Sequence, residues 1–522
     1  MRNKWSARRR AESGGERERN WAPSLSSISV AVLGLLLSAC AVGPRYQAPE
    51  LPEAASSVGY TPEPLPQQTA SAAATDGVAQ RFALGQDIPE QWWTLYGSDA
   101  LNQLIKQALS SSPNLAAAQA ALRQAQEVYT GTSASLLTPN VNAQLGAGRE
   151  RIAAVSSSVP GGFTTGLYNA QVNVAYSVDV FGGNYSAVEA QQASVDFQRY
   201  QLEATYLALS SNVVTAAISE ASLREQIKAL GEVLDAQLKQ QAVIEQQFAV
   251  GAVGLSPVIA QRSAVAATQA QIPPLEKSLD VVRHQLSVLV GRLPGEQGMP
   301  RFELGSLHLP QELPVSVPSE LVRQRPDIRA SEAQLHQAAA LANVATANLY
   351  PQFNLTASLG SEALKSSQLF SSGWGFWSLI GGVTQPIFDG GALKAKQRAA
   401  QAALDVAAAR YRSTLLQAFQ NVADSLRALQ ADANTLQAQA LAEQLAKESL
   451  DLTATQYDLG AVSYLALLDS QRTYLQAHIG LVNARAARFA DTAALFQAMG
   501  GGWWNRSADL PQVSLNNPKR ER

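Results

Sequence analysis

The sequence is short of nearly everything a catalytic or redox centre is built from. Its 522 residues include one cysteine, four histidines and three methionines. A single cysteine closes no disulfide within the chain, which excludes a disulfide framework. His284, His308, His336 and His478 have no cysteine or acidic residue at ligand spacing, which argues against a zinc or iron site. Aromatic residues make up 7%, charged residues 16%, and the formal net charge is -2. There is no basic excess for a nucleic acid to meet. No Ser-His-Asp, Cys-His, HExxH or nucleotide-binding pattern occurs, so neither an enzyme nor a bound cofactor is expected. What is plentiful is apolar, at 46%. Ala and Gln are prominent, a mix suited to closely packed helices rather than to a large aromatic core.

The lone cysteine, Cys40, stands in an informative place. Lys4, Arg8, Arg9, Arg10, Arg17 and Arg19 precede an apolar stretch from about Ile28 to Leu37, and Ser38-Ala39-Cys40 follows. Charge, a short apolar run and then small residues make residues 1–39 a secretory signal. The run is too short to span a bilayer as a finished helix. Leu37-Ser38-Ala39-Cys40 resembles a bacterial lipobox, whose cysteine carries an S-diacylglycerol and an N-acyl chain such as palmitate. Several acyl chains anchor firmly where one does not. Residue 41 is Ala, not the Asp of an inner-membrane retention signal, and this favours the outer membrane. Residues 40–95 read as an extended arm, rich in Pro, Ala and Ser, without period or core residues. Folded structure is expected to begin near Trp92-Trp93.

The remainder is a two-fold internal repeat, 96–305 and 306–500, with a tail over 501–522. Pro113-Asn114-Leu115 recurs as Pro326-Asp327-Ile328, and Pro139-Asn140-Val141 as Pro351-Gln352-Phe353. Phe181-Gly182-Gly183 recurs as Phe388-Asp389-Gly390-Gly391, and Gly251-Ala252-Val253 as Gly460-Ala461-Val462, all at an offset of about 210 residues. Each half therefore runs helix, strand, loop, strand, very long helix, tight turn, long helix. The spacing predicts strands over about 140–152 and 166–180 and helices over about 184–250 and 255–291. In the second half it predicts strands over about 352–362 and 373–386 and helices over about 390–459 and 461–499.

The strands alternate. Tyr168, Ala170, Val172, Val174, Tyr176 and Val178 fall on one face, and Asn169, Gln171, Asn173 and Ser177 on the other. Phe353, Leu355, Ala357 and Leu359 oppose Gln352, Asn354, Thr356 and Ser358; the strand near Trp374 to Val383 alternates less well. Apolar outside and polar inside is the pattern of an outer-membrane barrel wall. Tyr168 to Tyr176 spans about 26 Å, close to the height of the apolar band once tilted. Four strands cannot close such a barrel, whose minimum is about eight, and open edges are not tolerated in lipid. Several chains must pool their strands. The two unbroken helices are each roughly 100 Å long, too long for a globular core and suited to the wall of a tube.

These residues resemble the outer-membrane efflux protein family of TolC-like trimeric channels, in particular its lipoprotein branch that includes OprM and NodT. The resemblance is carried by Cys40-Ala41-Val42-Gly43-Pro44, Trp92-Trp93-Thr94-Leu95-Tyr96, Arg325-Pro326-Asp327-Ile328-Arg329-Ala330, Pro386 to Gly391, and Leu467-Leu468-Asp469-Ser470-Gln471-Arg472. It implies a mixed α and β membrane fold: a homotrimer with four strands per chain in a shared twelve-stranded barrel, a twelve-helix periplasmic α-barrel and an equatorial α/β collar. The implied partners are a periplasmic adaptor (membrane fusion) protein, an inner-membrane efflux pump and outer-membrane lipid. The implied role is a passive exit duct for drugs or other small toxic compounds, with the channel of a type I protein secretion system as the alternative. The resemblance puts the periplasmic gate at Leu465, Asp469, Arg472 and Tyr457. It puts adaptor docking at the helix-tip turns, Gly251, Gly254, Gly460 and Ser463.

Overall fold

The computed structural model describes residues 42–49, 59–64, 66–153 and 160–506. The signal segment, Cys40 and the end of the tail lie outside the described residues. In chain order the elements are β1 (Arg81–Leu84), α1 (Asp99–Ser111), α2 (Pro113–Leu137), β2 (Asn140–Ile152), β3 (Phe163–Val178), α3 (Gly183–Ala249), α4 (Leu255–Gln269) and α5 (Ile272–Leu289). There follow β4 (Glu312–Val315), α6 (Pro318–Gln324), α7 (Pro326–Ala347), β5 (Gln352–Ala363), β6 (Gly375–Thr384), α8 (Ala392–Asp458) and α9 (Tyr464–Ala498). The chain divides into a sheet unit, residues 42–44, 140–183 and 346–388, and a mainly helical unit made of the rest.

The sheet unit is four antiparallel strands in the order β2-β3-β5-β6. Its register sorts side chains by chemistry. Val141 opposes Val174, Ala143 opposes Val172, Leu145 opposes Ala170 and Leu359 opposes Trp377. Leu145 is 80% exposed and Trp377 77%, so this apolar face has no protein cover within the chain. The other face pairs Asn142 with Asn173 and Gln144 with Gln171, whose amides bond at 3.0 Å. Ser358 and Ser378 meet hydroxyl to hydroxyl at 2.6 Å on the same polar face. Apolar and polar residues thus alternate between the faces over most of β3 and β5, and less well in β6, where Trp377, Leu379 and Val383 share the apolar face but Phe376 and Ile380 fall on the other. β2 pairs only with β3 and β6 only with β5 among the described residues, leaving two free edges.

In the helical unit α3 and α8 each run 67 residues, about 100 Å at the usual rise. Gly390 and Gly391 take left-handed backbone ahead of α8. Asp389 caps that start, accepting from the N–H groups of Leu393 at 2.7 Å and Gly391 at 2.8 Å. Those bonds hold its carboxyl below the usual range. No described helix is long and apolar enough to cross a membrane. The main core gathers Trp92, Trp93, Tyr96, Phe302, Phe489 and Phe496, with the Tyr96 hydroxyl donating to the Phe489 carbonyl at 3.0 Å.

Three expectations need correction. The helix expected over about 255–291 is two helices, α4 and α5, broken after Gln269. Pro273 and Pro274 have no N–H to offer the carbonyls one turn back, so the ladder cannot run through them. They sit instead in the first turn of α5, where no intrahelical bond is lost.

The arm, expected to lack core residues up to about Asp87, is folded well before Trp92. β1 pairs in parallel with β4, Arg81 to Glu312 through Leu84 to Val315, and Phe82 and Ile88 are buried. Arg488 of α9, 1% exposed, gathers this segment: its guanidinium donates to Gln80 Oε1 at 3.1 Å, Asp76 O at 2.9 Å, Thr69 Oγ1 at 3.1 Å and Val78 O at 2.7 Å. Arg485 pairs with the Asp76 carboxylate at 2.8 Å.

Two histidines are not isolated. His336 meets Glu189 at 2.7 Å and stacks on Tyr46 at 4.2 Å, while His478 meets Glu443 at 3.2 Å. In both cases the acidic partner comes from a different helix, so spacing along the chain carries no sign of it. Among the described residues no three His, Cys, Asp or Glu gather as a metal site.

Candidate functional site

The two helix-tip turns are built alike. After α3 the Gly251 N–H donates to Phe248 O at 2.9 Å and the Ala252 N–H to Gln247 O at 2.8 Å. After α8 the Gly460 N–H donates to Tyr457 O at 2.9 Å and the Ala461 N–H to Gln456 O at 2.8 Å. This pair of bonds is the Schellman closure, which consumes carbonyls the helix end leaves free and needs a left-handed residue at its pivot. Gly251 has φ 77° and Gly460 φ 74°. The return helices are capped differently. Gly254 precedes α4 with no side-chain cap, while the Ser463 hydroxyl accepts from the Ala466 N–H at 3.4 Å to start α9.

Beneath the turns lies a small core of Ile244, Val258, Tyr464 and Leu467. The Tyr464 hydroxyl donates to the amide of Gln261, which is fully buried and itself donates to the Gln237 carbonyl. Tyr457 packs on Tyr464 with ring centroids 5.4 Å apart. Burial pushes the hydroxyls of both tyrosines up, so both stay protonated donors.

The sequence-predicted gate residues divide between two faces of this tip. Leu465, Asp469 and Arg472 follow one another at helical spacing along α9 and share its open face. Leu465 is 66% exposed, and Asp469 pairs with Arg472 across one turn with both side chains largely in solvent. Tyr457 instead joins the buried cluster. Within one chain the open face therefore carries an apolar side chain, a carboxylate and a guanidinium in a line, with Tyr464 and Leu467 anchoring the helix from behind.

One cluster gives no sign in the sequence. Asp432 of α8 faces Asp491 of α9, with Arg488 close by. Burial first, then the hydrogen bond and charge of Asp491, push the Asp432 carboxyl up to about 7, and Arg488 works in the opposite direction. Nothing in the local sequence of either helix brings these two carboxyls together; only the packing of α8 on α9 does.

Comparison with known proteins decides what this architecture belongs to. The family model described as outer membrane efflux protein matches residues 104–292 and 317–501, one stretch in each repeat. The chain belongs to this family. The pyoverdine export outer membrane protein OpmQ of Pseudomonas aeruginosa is 30% identical over 485 residues, spanning 92% of this chain and 98% of OpmQ. The probable outer membrane lipoprotein SilC of Salmonella typhimurium is 27% identical over 486 residues, spanning 92% of this chain and 99% of SilC. The solved structure of the outer-membrane channel OprN superposes with a TM-score of 0.79 at 26% identity, covering 89% of this chain and 100% of that one.

The TolC-like fold expected from the sequence is thus the fold of the chain. As a member of the efflux family it is an outer-membrane channel component of an efflux system, located in the outer membrane. OpmQ is named for pyoverdine export, and the family match lends no support to the secretion alternative.

Proposed function

We propose that three copies of the chain close one membrane barrel and one periplasmic tunnel. The trimer is then the passive exit duct of a tripartite pump, carrying small toxic compounds outward with no covalent chemistry and no cofactor of its own. The supporting observation is the four-stranded sheet with a polar face, an uncovered apolar face and two free edges. Unpaired edge groups in hydrocarbon cost several kcal/mol each (roughly, per group), so closure by further copies removes a penalty that one chain cannot avoid. Cross-linking in mild detergent is expected to stop at three chains. A ladder that ends at two or runs past three refutes the assembly.

The duct is closed at its periplasmic end by rings formed from Leu465 and Asp469, repeated by the threefold axis. A leucine ring narrows and dewets the pore, and a carboxylate ring favours cations. Arg472 neutralises Asp469 and holds the closed ring together, and Tyr457 stiffens the turn behind it. The turns at Gly251, Gly254, Gly460 and Ser463 meet the periplasmic adaptor, which connects the duct to an inner-membrane pump. Cys40 carries the diacylglycerol and acyl chains that tether the mature chain, a reading supported by its lipobox and by the lipoprotein name of SilC. Mass spectrometry of the purified protein tests it: an unmodified peptide running through Ala39-Cys40 would sink the tether.

A further inference from the structure

The charged residues at the loop ends of the sheet are sorted by face. Arg149, Glu150 and Arg151 close β2, and Glu362 and Lys365 flank the end of β5. Residues directly opposite in an antiparallel pair project from the same face. Arg149 opposes Gly166 and Arg151 opposes Thr164, in the same alternating set as Ala147 opposite Tyr168 and Leu145 opposite Ala170. Both arginines therefore lie on the uncovered apolar face. Glu150 opposes Thr165 and Glu362 opposes Asn169, in the set of Gln144 and Gln171, so both acids lie on the polar face. Ala363 opposes Tyr168, and Lys365, two residues on, keeps extended backbone at φ -130° and ψ 140°. The chain bends at Leu364 and Lys365, so Lys365 belongs to the loop beyond β5 at the same end of the sheet.

Arg149 and Gly166 thus sit side by side at the loop end of the apolar face, with Lys365 in the loop that follows β5. Gly166 brings no side chain of its own, and its neighbours fill the space above it. A side chain at Gly166 would begin 3.0 Å from the Tyr168 ring and 3.1 Å from the Leu364 carbonyl. Tyr168, and Trp377 on β6, supply amphipathic rings on the same face. Arg151 donates to the Gly161 carbonyl at 3.2 Å. The loops over 153–162 and 364–374 contain no Asp or Glu to neutralise these cations. A cation on a barrel's lipid face costs about 2–4 kcal/mol at the midplane and close to nothing at the interface. Two arginines on that face, with Lys365 in the adjoining loop and Glu150 and Glu362 on the opposite face, call for an anion from the membrane itself.

We infer that Arg149, Arg151 and Lys365 form a binding site on the outer wall for the phosphate head group of a lipid in the outward-facing leaflet. The arginines offer forked donors suited to phosphate oxygens, and Lys365 adds a point charge from the adjoining loop. The acyl chains then run down the apolar face over Leu145, Val172 and Leu359. The inference rests on the proposed barrel wall. Heat-modifiable migration of the trimer, read in the same samples, checks that wall separately.

Native mass spectrometry of the full-length protein with bis-phosphorylated lipid A, and with its dephosphorylated form, tests the site. The parent should retain the phosphorylated lipid preferentially. Arg149→Gln or Lys365→Gln alone should weaken retention about fivefold, and the triple change with Arg151→Gln on the order of a hundredfold. The single variants carry the test if the triple variant fails to assemble. Glu150→Gln with Glu362→Gln, on the opposite face, should leave retention intact. Equal retention of both lipids by an intact trimer, undiminished retention by the arginine and lysine variants, or full displacement by inorganic phosphate overturns the site.

Discussion

Arg488→Ala is the change with the largest local effect that the structure supports. The guanidinium makes four hydrogen bonds, all to the segment between Thr69 and Gln80, from a side chain that is 1% exposed. Truncation leaves the carbonyls of Asp76 and Val78 and the buried Gln80 Oε1 without their donor, while Thr69 Oγ1 keeps only the Gln80 N–H at 3.0 Å. Charge-assisted bonds contribute about 1.5–3 kcal/mol each and are not additive, and stripping one partner from a buried charged network costs about 3–5 kcal/mol. The loss falls on the arm, because α9 keeps its other packing through Phe489 and Phe496. Hydrogen exchange reads it directly. Amides from Thr69 to Leu84, and those of β4 that pair with them, should exchange on the order of a hundred- to a thousandfold faster, with the helix-tip amides unchanged. Arg488→Lys should fall between, since it keeps the charge and loses the fork. Unchanged exchange at Arg81 to Leu84 in Arg488→Ala refutes the reasoning.

The remaining predictions concern the carboxyl pair, the gate and the turns. The folded state holds the Asp432 proton up to about pH 7, against an ordinary value of 3.8. The unfolded chain releases that proton first, so stability from this group is full below the ordinary value and falls as pH climbs towards 7. Asp432→Asn should flatten that decline in thermal-unfolding scans between about pH 4 and pH 8; an unaltered profile counts against the pair. In planar bilayers Asp469→Ala should weaken cation selectivity, and Leu465→Ala and Arg472→Ala should raise closed-state conductance; parent-like values in all three place the gate elsewhere. Gly460→Ala and Gly251→Ala meet no atom within 4 Å, so each should cost about 1–2 kcal/mol from the left-handed backbone alone. Gly460→Asn should cost less, read as faster exchange at the Ala461 amide, and equal exchange in both variants contradicts a conformational cost.

Much of the fold is legible in the sequence because its signals are local. Alternation in Tyr168 to Val178 names both the strand and its face. The glycines at 251 and 460 mark turns whose closure needs a left-handed residue. The common face of Leu465, Asp469 and Arg472 follows from spacing alone. What is missed depends on partners distant in the chain. β1 becomes a strand only when β4 lies beside it, and Thr69 to Gln80 becomes ordered only around Arg488. Tyr457 turns inward because Tyr464 waits across the turn. The break between α4 and α5 is a different case: Pro273-Pro274 is a local signal, and it outweighs the helical pattern on either side.

The equal length of α3 and α8, 67 residues each, has a consequence for how such a chain can change. Losing one residue from a helix withdraws its tip by about 1.5 Å and swings every following side chain by about 100° around the axis. A substitution alters one contact, but a deletion alters the address of every contact beyond it. The two helices differ in composition along their length, yet each has the same number of residues. Length behaves here as an inherited measure: insertions should be found in the loops at the sheet end and in the arm, and within a long helix only when a matching one appears in its twin.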